Sequence, residues 1–147
     1  MIEVCTVGGF EEVGKNMTAV KYKNEVVLLD MGLEVSNYIK ISEENDNNHL
    51  SFKELRNADA IPNTQFIKDW QRQVKAIVPS HAHLDHVGAI PYMATKYNAN
   101  IYCTPFTAEV LKAMLKDQKK TLPNKIQVLK TNDFFKVSDN IQIEFIN

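Results

Sequence analysis

Three of the four histidines in this chain fall in one short run, His81-Ala82-His83-Leu84-Asp85-His86, with an aspartate among them. Neutral imidazole and carboxylate together suit zinc and similar first-row divalent ions, whereas calcium and magnesium prefer shells made of oxygen alone. Two residues apart in extended backbone, His81 and His83 project to the same side and can grip one cation. Asp85 and His86, adjacent at the turn into a helix, diverge from that pair and can serve a second. Two such ions about 3.5–4 Å apart can share a water, lower its pKa towards neutrality and stabilise both oxygens of a displacement at phosphorus or at an acyl carbon. The chemistry indicated is hydrolysis. A lone histidine would read as a solvated surface group; density and position, directly after an apolar strand, set this run apart.

Other polar residues carry weaker signals. His49 lies in a hydrophilic stretch far from the cluster and reads as solvent-exposed. Asp30 ends an apolar run and either caps the following Met31-Gly32 turn or holds a metal-loop backbone or imidazole from behind the ligands. Gly8, Gly9 and Gly14 permit tight turns. Beside them, Lys15 and Asn16 are candidate substrate-binding donors if they face the catalytic groove. Cys5 and Cys103 are far apart in strand-like surroundings, without the spacing of a zinc knuckle or redox pair, and read as buried free thiols. Lys112, Lys116, Lys119, Lys120 and Lys125 read as a solvated helix face, with no interleaved aromatics to stack on bases.

The elements that must position these residues can be traced along the chain. Ile2 to Val7 and Met17 to Tyr22 read as strands, Lys23-Asn24 as a tight hairpin turn, and Val26-Val27-Leu28-Leu29 as a buried central strand delivering Asp30 to one edge of a sheet. Residues 34 to 64 turn polar and irregular, around Glu43-Glu44-Asn45-Asp46-Asn47-Asn48, and are expected to form a surface excursion. One short helix is expected there, because Ser51-Phe52-Lys53-Glu54 has the spacing of a capping box. Alternation then begins: strand Val74 to Pro79, the histidine loop, a helix from about Val87 to Tyr97, strand Asn100 to Cys103, and a helix from Pro105 to about Lys116, capped by Thr104. Ile126 to Leu129, Phe134 to Val137 and Ile141 to Ile146 read as closing strands. The fold class is α/β, a mixed sheet with helices on one face.

At 147 residues, 44% hydrophobic and 24% charged, the chain suits one globular unit. A net charge of −1 provides no global field for a polyanion, so any nucleic-acid contact must be local. There is no basic-then-apolar opening and no run long enough to span a bilayer, which points to no membrane and to the cytoplasm. Only Asn147 follows the last alternating strand, so the chain is expected to be the opening part of something longer.

The motif His81-x-His83-x-Asp85-His86, with an apolar strand ending in Asp30 upstream, resembles the metallo-β-lactamase superfamily. Within it, Gly8-Gly9-Phe10-Glu11-Glu12-Val13-Gly14-Lys15-Asn16-Met17 resembles the ribonuclease J group of β-CASP nucleases. Related 3′-end-processing nucleases usually carry arginine and a serine-like residue where Lys15 and Asn16 stand. The resemblance implies an αββα sandwich, here its amino-terminal half, and two zinc ions, with manganese as the alternative metal. It places His81 and His83 on one ion and Asp85 and His86 on the other, and favours for Asp30 the role of holding the metal loop or an imidazole from behind the ligands. It further implies 5′-to-3′ exonucleolytic or endonucleolytic RNA cleavage by a metal-bridging hydroxide that Asp85, as the catalytic residue, helps to orient. Family members carry further histidines, a bridging aspartate and the β-CASP domain downstream, and none is present here. This chain is therefore expected to be inactive alone, and to form a homo-dimer or larger homo-oligomer through a sheet face that its partner sheet would cover. The competing readings are a hydrolase of a small ester, thioester or lactam, and a non-catalytic scaffold.

Overall fold

The computed structural model describes residues 1–45 and 49–146. Three antiparallel strands open it: β1 (Ile2–Gly8), β2 (Met17–Tyr22) and β3 (Glu25–Leu29). The turn between β2 and β3 places Lys23 at φ 54°, the left-handed conformation that a tight hairpin connection uses. β3 then pairs in parallel with β4 (Val74–Val78), followed by β5 (Asn100–Cys103) and β6 (Ile126–Val128), so the six strands lie side by side in chain order. This is the expected mixed sheet. β1 runs in the same direction as the parallel strands, so the ends of β1, β3 and β4 share one edge, where the histidine run begins.

Alternation within the strands produces two faces. Met17, Ala19, Val26, Leu28, Ile77 and Ile101 point into the main core, which is closed by Leu55, Ile67, Ile90, Met93 and Leu111 from the helical segments and by Ile61 from a connection between them. On the opposite face, Ala76, Val78, Tyr102 and Leu129 pack against Ile143 of a separate hairpin formed by β7 (Phe134–Lys136) and β8 (Gln142–Glu144). Tyr102 and Phe135 rings meet there at 5.0 Å. That hairpin covers only part of the face, and Ile2, Val4 and Leu29 remain exposed on it.

Two expectations need correction. First, the segment from residue 34 is packed rather than a loose excursion. It contains α1 (Val35–Glu43) and α2 (Phe52–Asn57), and Leu50, Leu55, Ala60 and Ile61 are buried. The Ser51/Glu54 capping box forms as expected, but α1 is capped by Glu34, whose carboxylate accepts from the Ser36 and Asn37 amides. Of the polar run that suggested an excursion, residues 46–48 lie outside the described part. Beyond that segment, where no element was expected, Thr64–Gln73 forms a kinked 3₁₀ stretch that leads into β4, with Ile67 buried. Second, the helix expected from Val87 starts earlier and breaks into α3 (Leu84–Val87), α4 (Ile90–Met93) and a 3₁₀ turn at Ala94–Lys96. Pro91, in the first turn of α4, has no amide to continue the preceding turn, which accounts for the break. α5 (Pro105–Asp117) follows, capped by Thr104. Among the described residues no helix is long and apolar enough to cross a membrane.

Candidate metal centre

The centre is assembled where β3 and β4 end. Their parallel pairing sets Leu29 beside Val78, and the Asp30 amide donates to the Val78 carbonyl at 3.1 Å, so Asp30 arrives next to the start of the histidine run. The chain turns there with Asp30 at φ 62°. Its Oδ1 accepts from the Ser80 amide at 2.6 Å, its Oδ2 accepts from the Ser80 hydroxyl at 3.1 Å, and Oδ2 lies 2.8 Å from His86 Nδ1. An imidazole that gives its Nδ1 proton to a carboxylate presents the Nε2 lone pair on its other side, and such outer partners fix ring orientation in metal sites.

Asp85 and His86 sit in the single turn of α3, which His83 precedes as the capping residue. The segment 31–33 holds this turn by backbone bonds: Met31 donates to the His86 carbonyl at 2.7 Å, Leu33 to Leu84 at 3.0 Å, and Ala89 to Met31 at 3.0 Å. Gly32 lies so close that a Cβ there would stand 1.6 Å from the Asp85 carbonyl oxygen, and only glycine allows the approach. The His81 ring lies 4.5 Å from that of His83 and 4.0 Å from that of His86, and His86 Nε2 is 3.4 Å from Asp85 Oδ2. The structure thus brings His81, His83, Asp85, His86 and Asp30 together. Three imidazoles and a carboxylate form a donor set suited to zinc, and in that respect the residues fit the metal. Among the described residues no three such side chains are posed as a finished ligand set. His81 and His83 are exposed, so their rings can turn, and His81 Nδ1 now lies 3.0 Å from the Ser80 hydroxyl.

Ser80 went unnoticed in the sequence, although its hydroxyl touches Asp30, His81 and His86. Its place between an apolar strand and the first histidine was the available signal. Lys15 and Asn16 are not free donors facing a groove. The Lys15 ammonium is buried between Glu12 (2.7 Å) and Asp59 (2.8 Å), and the Asn16 carboxamide is turned on Asp85 and His86. Burial pulls the Lys15 pKa down, but its bonds to Asp59 and Glu12 outweigh that and leave it raised. His49 lies apart, beside Leu50, Asp117 and Lys119 in a separate pocket. Cys103 is buried and free, its thiol pushed up to about 11 by that burial.

The description Metallo-beta-lactamase superfamily matches residues 11–136, a span that includes the whole centre. The chain belongs to the metallo-β-lactamase superfamily. It is 42% identical over 146 residues to a protein named Ribonuclease J from Methanocaldococcus jannaschii, covering 99% of this chain and 32% of that one. It is 40% identical over 148 residues to Ribonuclease J of Pyrococcus abyssi, again over 99% of this chain and 32% of the relative. The chain therefore spans about a third of the length of these relatives. Among solved structures, the metallo-β-lactamase fold extends to Zn(2+)-bound PqqB from Methylobacterium extorquens (TM-score 0.54, 13% identity, 91% of this chain and 42% of that one). A protein of unknown function from Enterococcus faecalis V583 superposes with a TM-score of 0.60 at 21% identity, over 92% of this chain and 35% of that one.

Proposed function

We propose that this chain is the metal-binding part of a zinc-dependent ribonuclease. In this reading His81 and His83 hold one ion, Asp85 and His86 hold a second, and the centre serves hydrolysis of RNA phosphodiesters, exonucleolytic from the 5′ end or endonucleolytic. The observation that supports it best is the Asp30–His86 contact, because a carboxylate on Nδ1 is how metal sites commonly aim Nε2 at an ion. RNA as substrate is supported by likeness to proteins named Ribonuclease J. Bound metals, zinc or in its place manganese, would supply Lewis acidity towards water and towards the phosphoryl oxygens. Asp30 orients His86, Ser80 ties Asp30 to His81, and Asp85 helps to orient the hydroxide nucleophile by accepting its hydrogen bond. We place the nuclease in the cytoplasm. The 147 residues form one part of its metallo-β-lactamase domain, apart from the β-CASP domain that clamps RNA.

Two protein ligands for each ion is one fewer than the three that catalytic zinc sites use. The isolated chain is accordingly expected to take zinc weakly and to leave RNA intact. Zinc titration followed by the His81 and His83 ring resonances, with an RNA cleavage assay alongside, tests both statements. Two tight sites, or cleavage that vanishes in His81→Ala, overturns the inactivity; ring resonances that ignore zinc at millimolar concentration overturn the metal reading. The exposed apolar face bearing Ile2, Val4 and Leu29 supports self-association as a homo-dimer or larger. Light scattering that finds a monomer at every concentration refutes that part.

A further inference from the structure

Asn16 comes from the glycine-rich segment between β1 and β2, 69 residues before Asp85, and yet its carboxamide is at the heart of the centre. Its Nδ2 lies 3.0 Å from the Asp85 carbonyl oxygen, 3.1 Å from Asp85 Oδ2 and 3.2 Å from His86 Nε2. All three partners accept, so the amide must present its NH2 and not its oxygen. The backbone repeats the attachment: the Asn16 amide donates to the Asp85 carbonyl at 3.1 Å, and the Asn16 carbonyl accepts from Gly32 at 3.1 Å. On the far side Gly9, at φ 85°, comes so near that a Cβ there would lie 2.4 Å from Asn16 Oδ1 and 2.9 Å from its Cα. The side chain is thus held between a bare glycine and the ligand turn.

We propose that Asn16 is a positioning residue, whose NH2 group fixes the Asp85 carboxylate and keeps the Nε2 edge of His86 beside it. The inference rests on the metal-centre reading for its purpose, but the contact itself stands without a metal. Hydrogen-bond counting favours this role over substrate contact. The NH2 group has two protons and already faces three acceptors, so it has none to offer an RNA phosphate. If His86 Nε2 becomes a ligand, one acceptor is withdrawn, and the two protons then match the carbonyl and carboxylate of Asp85 one for one. The donor set and its orienting amide are therefore complementary in number. The adjacent Lys15 serves the same segment differently, tying it to Glu12 and Asp59.

The test uses the isotope-labelled 147-residue chain without metal, read by histidine ring nitrogen and side-chain carboxyl carbon resonances. Asn16→Ala is expected to move the His86 Nε2 and Asp85 carboxyl resonances while leaving the ring of His83, which Asn16 does not touch, in place. In the wild type the Asn16 NH2 protons are expected to exchange slowly and to show cross-relaxation with the His86 ring. A zinc sulfate titration of the same samples is expected to show affinity reduced about 10- to 100-fold in Asn16→Ala. Unmoved His86 and Asp85 resonances in a folded Asn16→Ala chain, or freely exchanging wild-type NH2 protons, overturn the proposal; the second reading decides it even if the variant does not fold. Equal zinc affinity in both folded chains also overturns it. A wild type that ignores zinc, with the resonance shifts still present, removes the metal reading and supports the positioning contact.

Discussion

His86 Nδ1 lies 2.8 Å from Oδ2 of Asp30, a residue 56 positions earlier at the end of a different strand. The same carboxylate also takes the amide and hydroxyl of Ser80, so a single acidic group joins the ends of β3 and β4 to the turn of α3. Asp30→Ala removes the acceptor that selects the His86 tautomer. Zinc affinity is expected to fall about 10- to 100-fold, as for other outer partners of metal-binding histidines. Competition with a chromophoric chelator measures it, and an unchanged affinity in a folded variant would show that the contact has no bearing on metal binding.

Gly32→Ala tests how tightly the turn of α3 is packed. The new methyl would meet the Asp85 carbonyl oxygen at 1.6 Å, with the His86 amide at 2.8 Å, and all of these neighbours are backbone. Since backbone cannot swing aside as a side chain can, destabilisation of about 3 kcal/mol is expected, the upper end for overpacking. Urea unfolding reports it; a loss under about 0.5 kcal/mol, the range of ordinary surface substitutions, would mean that the turn is looser than described.

Lys15 makes the fold sensitive to alkali. Its pKa is raised above the ordinary 10.5 because Asp59 and Glu12 outweigh the cost of burial. A base with a raised folded pKa contributes stability that is fully present below its unfolded value and is lost as pH rises through the folded one. Stability should therefore decline above about pH 10.5. Lys15→Met is expected to cost about 1 kcal/mol at neutral pH, since both carboxylate partners are substantially exposed, and to flatten the alkaline decline. Thermal midpoints across pH 8 to 12 for the two chains settle the matter, and parallel curves would refute it.

Cys103 should be chemically silent while the chain is folded. It is fully buried and its thiol is pushed up to about 11, so thiolate is scarce at neutral pH. In Cys5→Ser, a thiol reagent at pH 8 is expected to label Cys103 only on adding denaturant. Rapid labelling under native conditions would mean that the β5 region opens easily.

Much of this protein was legible because it is encoded locally. Imidazoles and a carboxylate packed into six positions bring metal-binding donor types together wherever they fold, and alternation in Met17–Tyr22 or the apolar run ending at Leu29 announces a strand. The Ser51/Glu54 capping box was readable for the same reason, since its partners are three residues apart. α1 escaped notice because its cap is a glutamate and because its sequence is too polar to suggest the contacts Tyr38 and Ile41 make with the core. The Thr64–Gln73 stretch escaped because only Ile67 of it is buried, with Trp70 partly buried against the core, too few apolar contacts to show as a periodic pattern.

The division between sequence and structure is sharpest at the centre. The sequence by itself determined which atoms can bind a metal, since donor chemistry belongs to each side chain. Only the tertiary structure decided what surrounds them: that Asp30 faces His86, that Ser80 bridges Asp30 and His81, and that Asn16 turns inward to Asp85 while Lys15 is buried against Glu12 and Asp59. Those pairings join residues up to 69 positions apart, and no spacing rule reaches that far. They arise because parallel pairing of β3 with β4 and the bare backbones of Gly9 and Gly32 bring distant segments within hydrogen-bond range.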